Sequence, residues 1–288
     1  MRLVRRVRMV AILSIALLSV VMASCETNPY TGRRQLLMTS VADEMHLGTQ
    51  AYSQVKSDPK VRLSHDPREI EPVKRVAARI IDAAKRSKYG DMAKQFQWEV
   101  TVIKDDKMAN AFALPGGKMA VYTGIFPVAK TEAGLAAVMG HEVVHALARH
   151  GAERMSQGQL TGVAMQVAGV AAGMSGGGGL MSQAALAALG VGAQVGVLLP
   201  FSRKHESEAD YIGILLAADA GYDPRESVRL WERMEQLAAG GGGSVEFLST
   251  HPGHETRIRQ LTEWMPEAMA LYQGKPATAP VELPVLQR

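Results

Sequence analysis

The chain has 288 residues, 47% of them hydrophobic and 21% charged, with one cysteine, Cys25. That composition suits a globular protein with an ordinary core, and it excludes an intramolecular disulfide. The formal net charge of +4 comes from the first 24 residues, which hold four arginines and no acid; the remainder is balanced, which argues against a nucleic-acid surface.

At the amino terminus, Arg2, Arg5, Arg6 and Arg8 precede an apolar run from Met9 to Met22, followed by the small residues Ala23 and Ser24. A basic start, a short apolar stretch and a small-residue site form the pattern of a signal peptide over residues 1–24, and the run is short for a spanning helix. Met22-Ala23-Ser24-Cys25 resembles the lipobox of bacterial lipoproteins, with methionine where leucine is usual. That resemblance implies cleavage before Cys25 and lipid attachment to it. Glu26, in place of an aspartate, resembles outer-membrane sorting. The expected location is therefore the periplasmic side of the cell envelope, lipid-anchored to the outer membrane.

Residues 25–60 read as a polar extension carrying the attachment site, with a turn at Asn28-Pro29-Tyr30-Thr31-Gly32. Val73, Val76, Ala77, Ile80, Ile81 and Ala84 recur at helical spacing and predict a helix over 69–88. Alternation predicts a strand over 97–103. Residues 108–125 read as two short strands around Pro115-Gly116-Gly117. Thr131 or Glu132 opens a helix to about Met155. From Gly158 to Pro200 there is no charged residue; the stretch reads as a buried or groove-lining helical hairpin, with a membrane-inserting or substrate-contacting hairpin as the sharper reading. Helices are expected over 203–220, 224–238 and 254–272, with a flexible joint at Gly240–Gly243 and an irregular proline-rich tail over 274–288. The fold class is α+β and mostly helical, with one domain over residues 61–273.

The chemistry sits in His141-Glu142-Val143-Val144-His145. Two histidines four apart on a helix share a face and can reach one metal ion; Glu142 between them is placed to take a proton from water. A catalytic zinc site needs a third protein ligand. The pattern HExxHxxGxxH fails, because positions 148 and 151 are Ala148 and Gly151. His150 lies half a turn out, on the face opposite His141, and reads as structural or exposed. A downstream helix offers Glu206 and Glu208. Glu206 has Asp210 four residues on, so one could bind the metal while the other holds a ligand histidine; Glu208, on another face, is the less favoured ligand.

The run from Asn110 to Phe126 (Asn-Ala-Phe-Ala-Leu-Pro-Gly-Gly-Lys…Tyr-Thr-Gly-Ile-Phe), the HExxH helix and the Glu-x-x-x-Asp helix, in this order, resemble a family of gluzincin peptidases. It comprises the CAAX-prenyl endopeptidases, the membrane heat-shock proteases and the periplasmic β-barrel-assembly-enhancing proteases. Cys25 and the run Asn28 to Leu36 look like its lipoprotein members, without a repeat domain. The resemblance implies one zinc ion on His141, His145 and Glu206, Glu142 as general base, and Asp210 supporting a ligand. Ser249-Thr250-His251-Pro252 looks like a segment that approaches the active site in periplasmic relatives. His251 is then a displaceable fourth ligand or an oxyanion stabiliser, with Arg257 a second candidate for the latter. The strand Asn110, Ala111, Phe112, Ala113 is the expected edge for an extended peptide.

The expected function is hydrolysis of peptide bonds in unfolded or misassembled envelope proteins. The competing expectation is a chaperone-like or latent zinc-binding lipoprotein whose site is blocked by His251. A third is an integral-membrane protease that uses residues 158–200 as spans.

Overall fold

The computed structural model describes residues 25–171, 201–239, 246–251, 255–273 and 281–285. The signal segment, the Gly240–Gly243 joint and residues 172–200 of the apolar stretch lie outside these. The described chain opens on an antiparallel pair, β1 (Cys25–Thr27) and β2 (Arg34–Leu36). Between them Asn28 Oδ1 accepts from the backbone N–H groups of Tyr30 and Thr31, and Gly32 takes φ 69°. This is the expected turn, built by an asparagine side chain that mimics backbone.

The polar extension also contains a helix that its weak periodicity hides, α1 (Val41–Ser57), capped by Ser40 accepting from Asp43 N–H. Its buried stripe includes Gly48, where a Cβ would come within 2.0 Å of the Pro115 carbonyl oxygen. A glycine at a packing position leaves no apolar mark in the sequence. Next come α2 (Pro67–Arg86), N-capped by Asp66, and a short α3 (Gly90–Gln95). Of the residues the spacing predicts, Val73, Val76, Ala77, Ile80 and Ala84 are buried on α2 and Ile81 is half-buried, while Ala83 joins the buried face.

A three-stranded sheet follows: β3 (Glu99–Ile103), β4 (Ala111–Leu114) and β5 (Lys118–Tyr122). The strand order is β3-β5-β4, with β5 parallel to β3 and antiparallel to β4. Gly116 and Gly117, at φ 83° and 85°, close the β4–β5 hairpin. β4 is thus an edge strand. The Tyr122 N–H donates to Asn110 O; since hydrogen-bonded pairs alternate, Ala111 and Ala113 turn their backbone groups away from β5.

After α4 (Phe126–Ala129) come α5 (Glu132–Leu147) and α6 (His150–Ala171). Here the structure corrects the single helix expected to Met155. Arg149 takes φ 56° and breaks it. The Arg149 guanidinium reaches back to both carboxylate oxygens of Glu44 at 3.0 and 2.6 Å, to Glu26 at 2.6 Å and to the Thr39 carbonyl at 2.8 Å. Those long-range partners offset a backbone conformation that costs an ordinary residue roughly 1–2 kcal/mol.

The remaining helices are α7 (Arg203–Asp219), N-capped by Ser202, α8 (Arg225–Ala239), α9 (Glu246–Thr250) and α10 (Glu255–Gln273). Among the described residues, no helix is long and apolar enough to cross a membrane. In the tail, Val281 O accepts from Glu132 N–H at the start of α5, and Leu283 N–H donates to Lys130 O.

Helix α5 is the centre of this arrangement. Every residue from Gly134 to Leu147 is buried, between α2, the sheet and α7. Such a helix is expected to be apolar all round, yet it carries His141, Glu142 and His145. It meets α7 at a glycine pair: a Cβ on Gly140 would lie 2.9 Å from Gly213 O. The two backbones therefore approach closely beside the histidines.

Candidate metal centre

Four donor groups converge from two helices and the end of a third: His141 and His145 of α5, Glu206 of α7, and His251 directly after α9. One ligand atom from each falls within 4.8 Å of all the others. The His141 and His145 Nε2 atoms are 3.0 Å apart, and Glu206 Oε2 and Oε1 lie 3.5 Å from them respectively. Tetrahedral ligands at zinc–nitrogen distances of ~2.0–2.1 Å stand roughly 3.3–3.4 Å apart. The donor set therefore fits a metal ion in chemistry and in spacing.

Electrostatics agree with that use at His145 and Glu206. Burial, together with the neighbouring His141, holds His145 well below its usual pKa, so it is a neutral donor. Burial opposes the charge on Glu206, but His251 and Arg257 overcome it and keep the carboxylate ionised. His141 is raised despite burial, because Asp210 and Glu206 hydrogen-bond to it. Asp210 Oδ1 is 2.9 Å from His141 Nδ1, which turns Nε2 toward the cluster.

Glu142 lies alongside, 3% exposed. Its Oε1 makes no hydrogen bond, although His251 Nε2 is 3.3 Å away. The backbone N–H of Ala113, on the outward edge of β4, acts on its carboxylate to favour the charged form. Burial raises Glu142 to about 7. A carboxylate at that value can both accept and return a proton near neutrality.

The structure brings together His141, Glu142, His145, Glu206, Asp210, His251 and Arg257, with Ala111 and Ala113 at the adjoining edge, Phe112 in the same strand and Asn110 immediately before it. Cys25 starts β1, apart from this cluster. Arg257 does not face open space: it chelates Asp210 through Nε and Nη2 and lies 2.9 Å from Glu206 Oε2, over the Trp231 ring at 3.5 Å. Its place is behind the donors.

Sequence reasoning missed three neighbours. His150, assigned to the opposite face, is fully buried with Nδ1 3.1 Å from His145 Nδ1, because the break at Arg149 swings it back. Phe201 places its ring 4.0 Å from that of His145, tilted, and stacks on His251 at 5.4 Å. Arg33 joins Glu153 and Glu208. Glu208, the less favoured ligand, faces Thr31, Arg33 and His150 and is no donor to the cluster.

Residues 67–265 match Peptidase family M48. The chain belongs to that family. Among relatives, the mitochondrial metalloendopeptidase OMA1 of Schizosaccharomyces pombe is 39% identical over 242 residues, covering 83% of this chain and 66% of that protein. Its Saccharomyces cerevisiae counterpart is 30% identical over 260 residues, covering 85% and 70%. The β-barrel assembly-enhancing protease of Escherichia coli is 27% identical over 245 residues, covering 82% and 46%. The chain thus spans from about half to about two thirds of these relatives. Membership agrees with the gluzincin resemblance and with an α+β fold whose HExxH helix lies beside a small sheet. The matched region holds every donor of the cluster.

Proposed function

We propose that the chain is a zinc metalloendopeptidase of the bacterial cell envelope, hydrolysing peptide bonds of unfolded or misassembled envelope proteins from a lipid anchor on Cys25. The observation that carries the catalytic part is the geometry of α5 and α7: three donors at tetrahedral spacing, with the unbonded Oε1 of Glu142 beside them. His141, His145 and Glu206 would hold the zinc, which when bound acts as a Lewis acid that polarises the scissile carbonyl and acidifies water. Glu142 takes the proton from the attacking water and delivers it to the leaving amine. Asp210 orients His141, and Arg257 holds Asp210 and Glu206 in place. An extended peptide would pair with the open edge of β4, which aligns its carbonyls along the base. That requirement favours unfolded substrates.

The location rests on residues 1–25, and one relative is named for β-barrel assembly in Escherichia coli. The mitochondrial names of other relatives describe a different compartment, to which the lipobox-like sequence of this chain does not point. A second reading concerns the resting state. His251 Nδ1 lies 3.0 Å from Glu206 Oε1 and its Nε2 faces Glu142, which favours a latent site in which His251 fills the fourth position.

The decisive comparison is metal content and cleavage of an unfolded protein for wild type, Glu142→Gln and Glu206→Gln. Glu142→Gln is expected to keep its zinc and lose cleavage, and Glu206→Gln to lose both. Full cleavage by Glu142→Gln would end the mechanism. For the anchor, Cys25→Ala should move the protein out of the membrane fraction; unchanged sedimentation would argue against lipidation.

A further inference from the structure

We propose that His150 is a positioning residue for the metal centre, the middle of a relay that runs from His145 through Glu208 to the amino-terminal hairpin. It rests on the metallopeptidase reading above. His145 turns Nε2 to the other donors, 3.0 Å from His141 and 3.5 Å from Glu206. A neutral imidazole that offers Nε2 as a lone pair carries its proton on Nδ1. That Nδ1 lies 3.1 Å from His150 Nδ1, which must then accept. His150 is left with its proton on Nε2, and Nε2 faces Glu208 Oε2 at 3.2 Å.

Glu208 continues the chain. It accepts from Arg33 Nε at 2.8 Å and from the Thr31 hydroxyl. Arg33 also spans to Glu153 with both Nη atoms, at 2.7 and 2.8 Å. One tautomer pattern satisfies every link. The two ligand histidines are therefore backed alike: His141 by the Asp210 carboxylate directly, His145 by the Glu208 carboxylate through an intervening imidazole. Buried ligands are oriented by such contacts.

Two features mark this as more than packing. Both ring nitrogens of His150 are used in a site with no solvent, since the residue is fully buried and its ring stacks on His205 at 4.5 Å. The residue also owes its place to the break at Arg149, without which a continuing helix would carry it away from His145. Thr31 and Arg33 precede the region matched by the family, 67–265. The hairpin between β1 and β2 is thereby a structural part of the metal centre.

The test uses the mature protein and the variants His150→Leu, His150→Gln and Arg33→Met, read by zinc affinity against a chromophoric chelator, by the visible spectrum of the cobalt-loaded form, and by metal-free thermal melting. His150→Leu should bind zinc about 10–100-fold more weakly and shift the cobalt spectrum. His150→Gln, whose amide offers one acceptor and one donor, should stay within a few-fold of wild type. Arg33→Met should weaken zinc in the same direction by less. Wild-type affinity and spectrum in His150→Leu would overturn the relay, as would equal losses for Leu and Gln. If His150→Leu fails to fold, Arg33→Met decides: an unchanged affinity and spectrum overturns the proposal, a weakened affinity supports it. A wild-type protein that binds no zinc sinks the underlying metallopeptidase reading instead.

Discussion

Gly213 of α7 lies against the backbone of His141 so closely that a Cβ there would sit 2.9 Å from the His141 nitrogen and 3.1 Å from its Cα. The neighbour is backbone inside a buried helix, so it cannot turn aside as a side chain would. Gly213→Ala should push α7 from α5, lengthening the distance from Glu206 to the histidines. The expected cost is about 1–3 kcal/mol, from overpacking. A lower melting temperature together with weakened zinc retention in dialysis would bear this out. An unchanged melting curve would show that the helices can separate without strain.

Asp210 supports His141 and neutralises Arg257 at once. Asp210→Asn keeps the shape but removes the charge, leaving a buried guanidinium with one carboxylate fewer. Zinc affinity should fall about 10–100-fold while the fold persists. Competition with a chelator, alongside circular dichroism, separates the two outcomes.

His251 sits between Glu206 and Glu142, and in the latent-site reading a substrate carbonyl would have to displace it. If the site is normally shut, His251→Ala should raise cleavage of an unfolded protein at saturating zinc. A rate equal to or below that of wild type would assign His251 to catalysis or structure.

Acid should loosen the contact between the amino-terminal hairpin and the domain. Burial opposes ionisation of Glu153, but His205, Arg33 and Gln35 hydrogen-bond it and hold it well below the usual carboxylate range. The folded state thus keeps Glu153 ionised where the unfolded chain would take up a proton. Stability from this group is complete above the ordinary glutamate pKa of about 4.5 and is lost as pH falls through its lower folded value. Arg33→Met should flatten that part of the acid unfolding curve, measured by fluorescence between pH 5 and 2. A curve parallel to wild type would show that Arg33 contributes nothing to the shift.

The histidine pair was legible because helical periodicity places residues 141 and 145 on one face, and 206 beside 210; the full donor set, with His251, came from the resemblance to the gluzincin family. The two strands and their glycine turn were legible through alternation and the Pro-Gly-Gly signal, whereas the edge position of the first was an implication of the resemblance. What lay hidden were features decided by distant charge. Nothing local in Leu147-Ala148-Arg149-His150 stops a helix; Glu44 and Glu26, more than a hundred residues earlier, do so by drawing Arg149 out. His150 consequently changed sides. Helix α1 escaped notice for a different reason, since its contact with Pro115 is made by a glycine, whose value to packing is the side chain it lacks.

The donors come from residues 141, 145, 206 and 251, so the ligand set is complete only when α5 has met α7 and the end of α9. A nascent chain exposing the HExxH segment alone offers two ligands, one short of what zinc catalysis requires. The proposed peptidase activity therefore awaits the carboxy-terminal half of the domain. Assembly of the site thus acts as a timing device: a given chain cannot cut itself, or anything near it, before its own domain has folded.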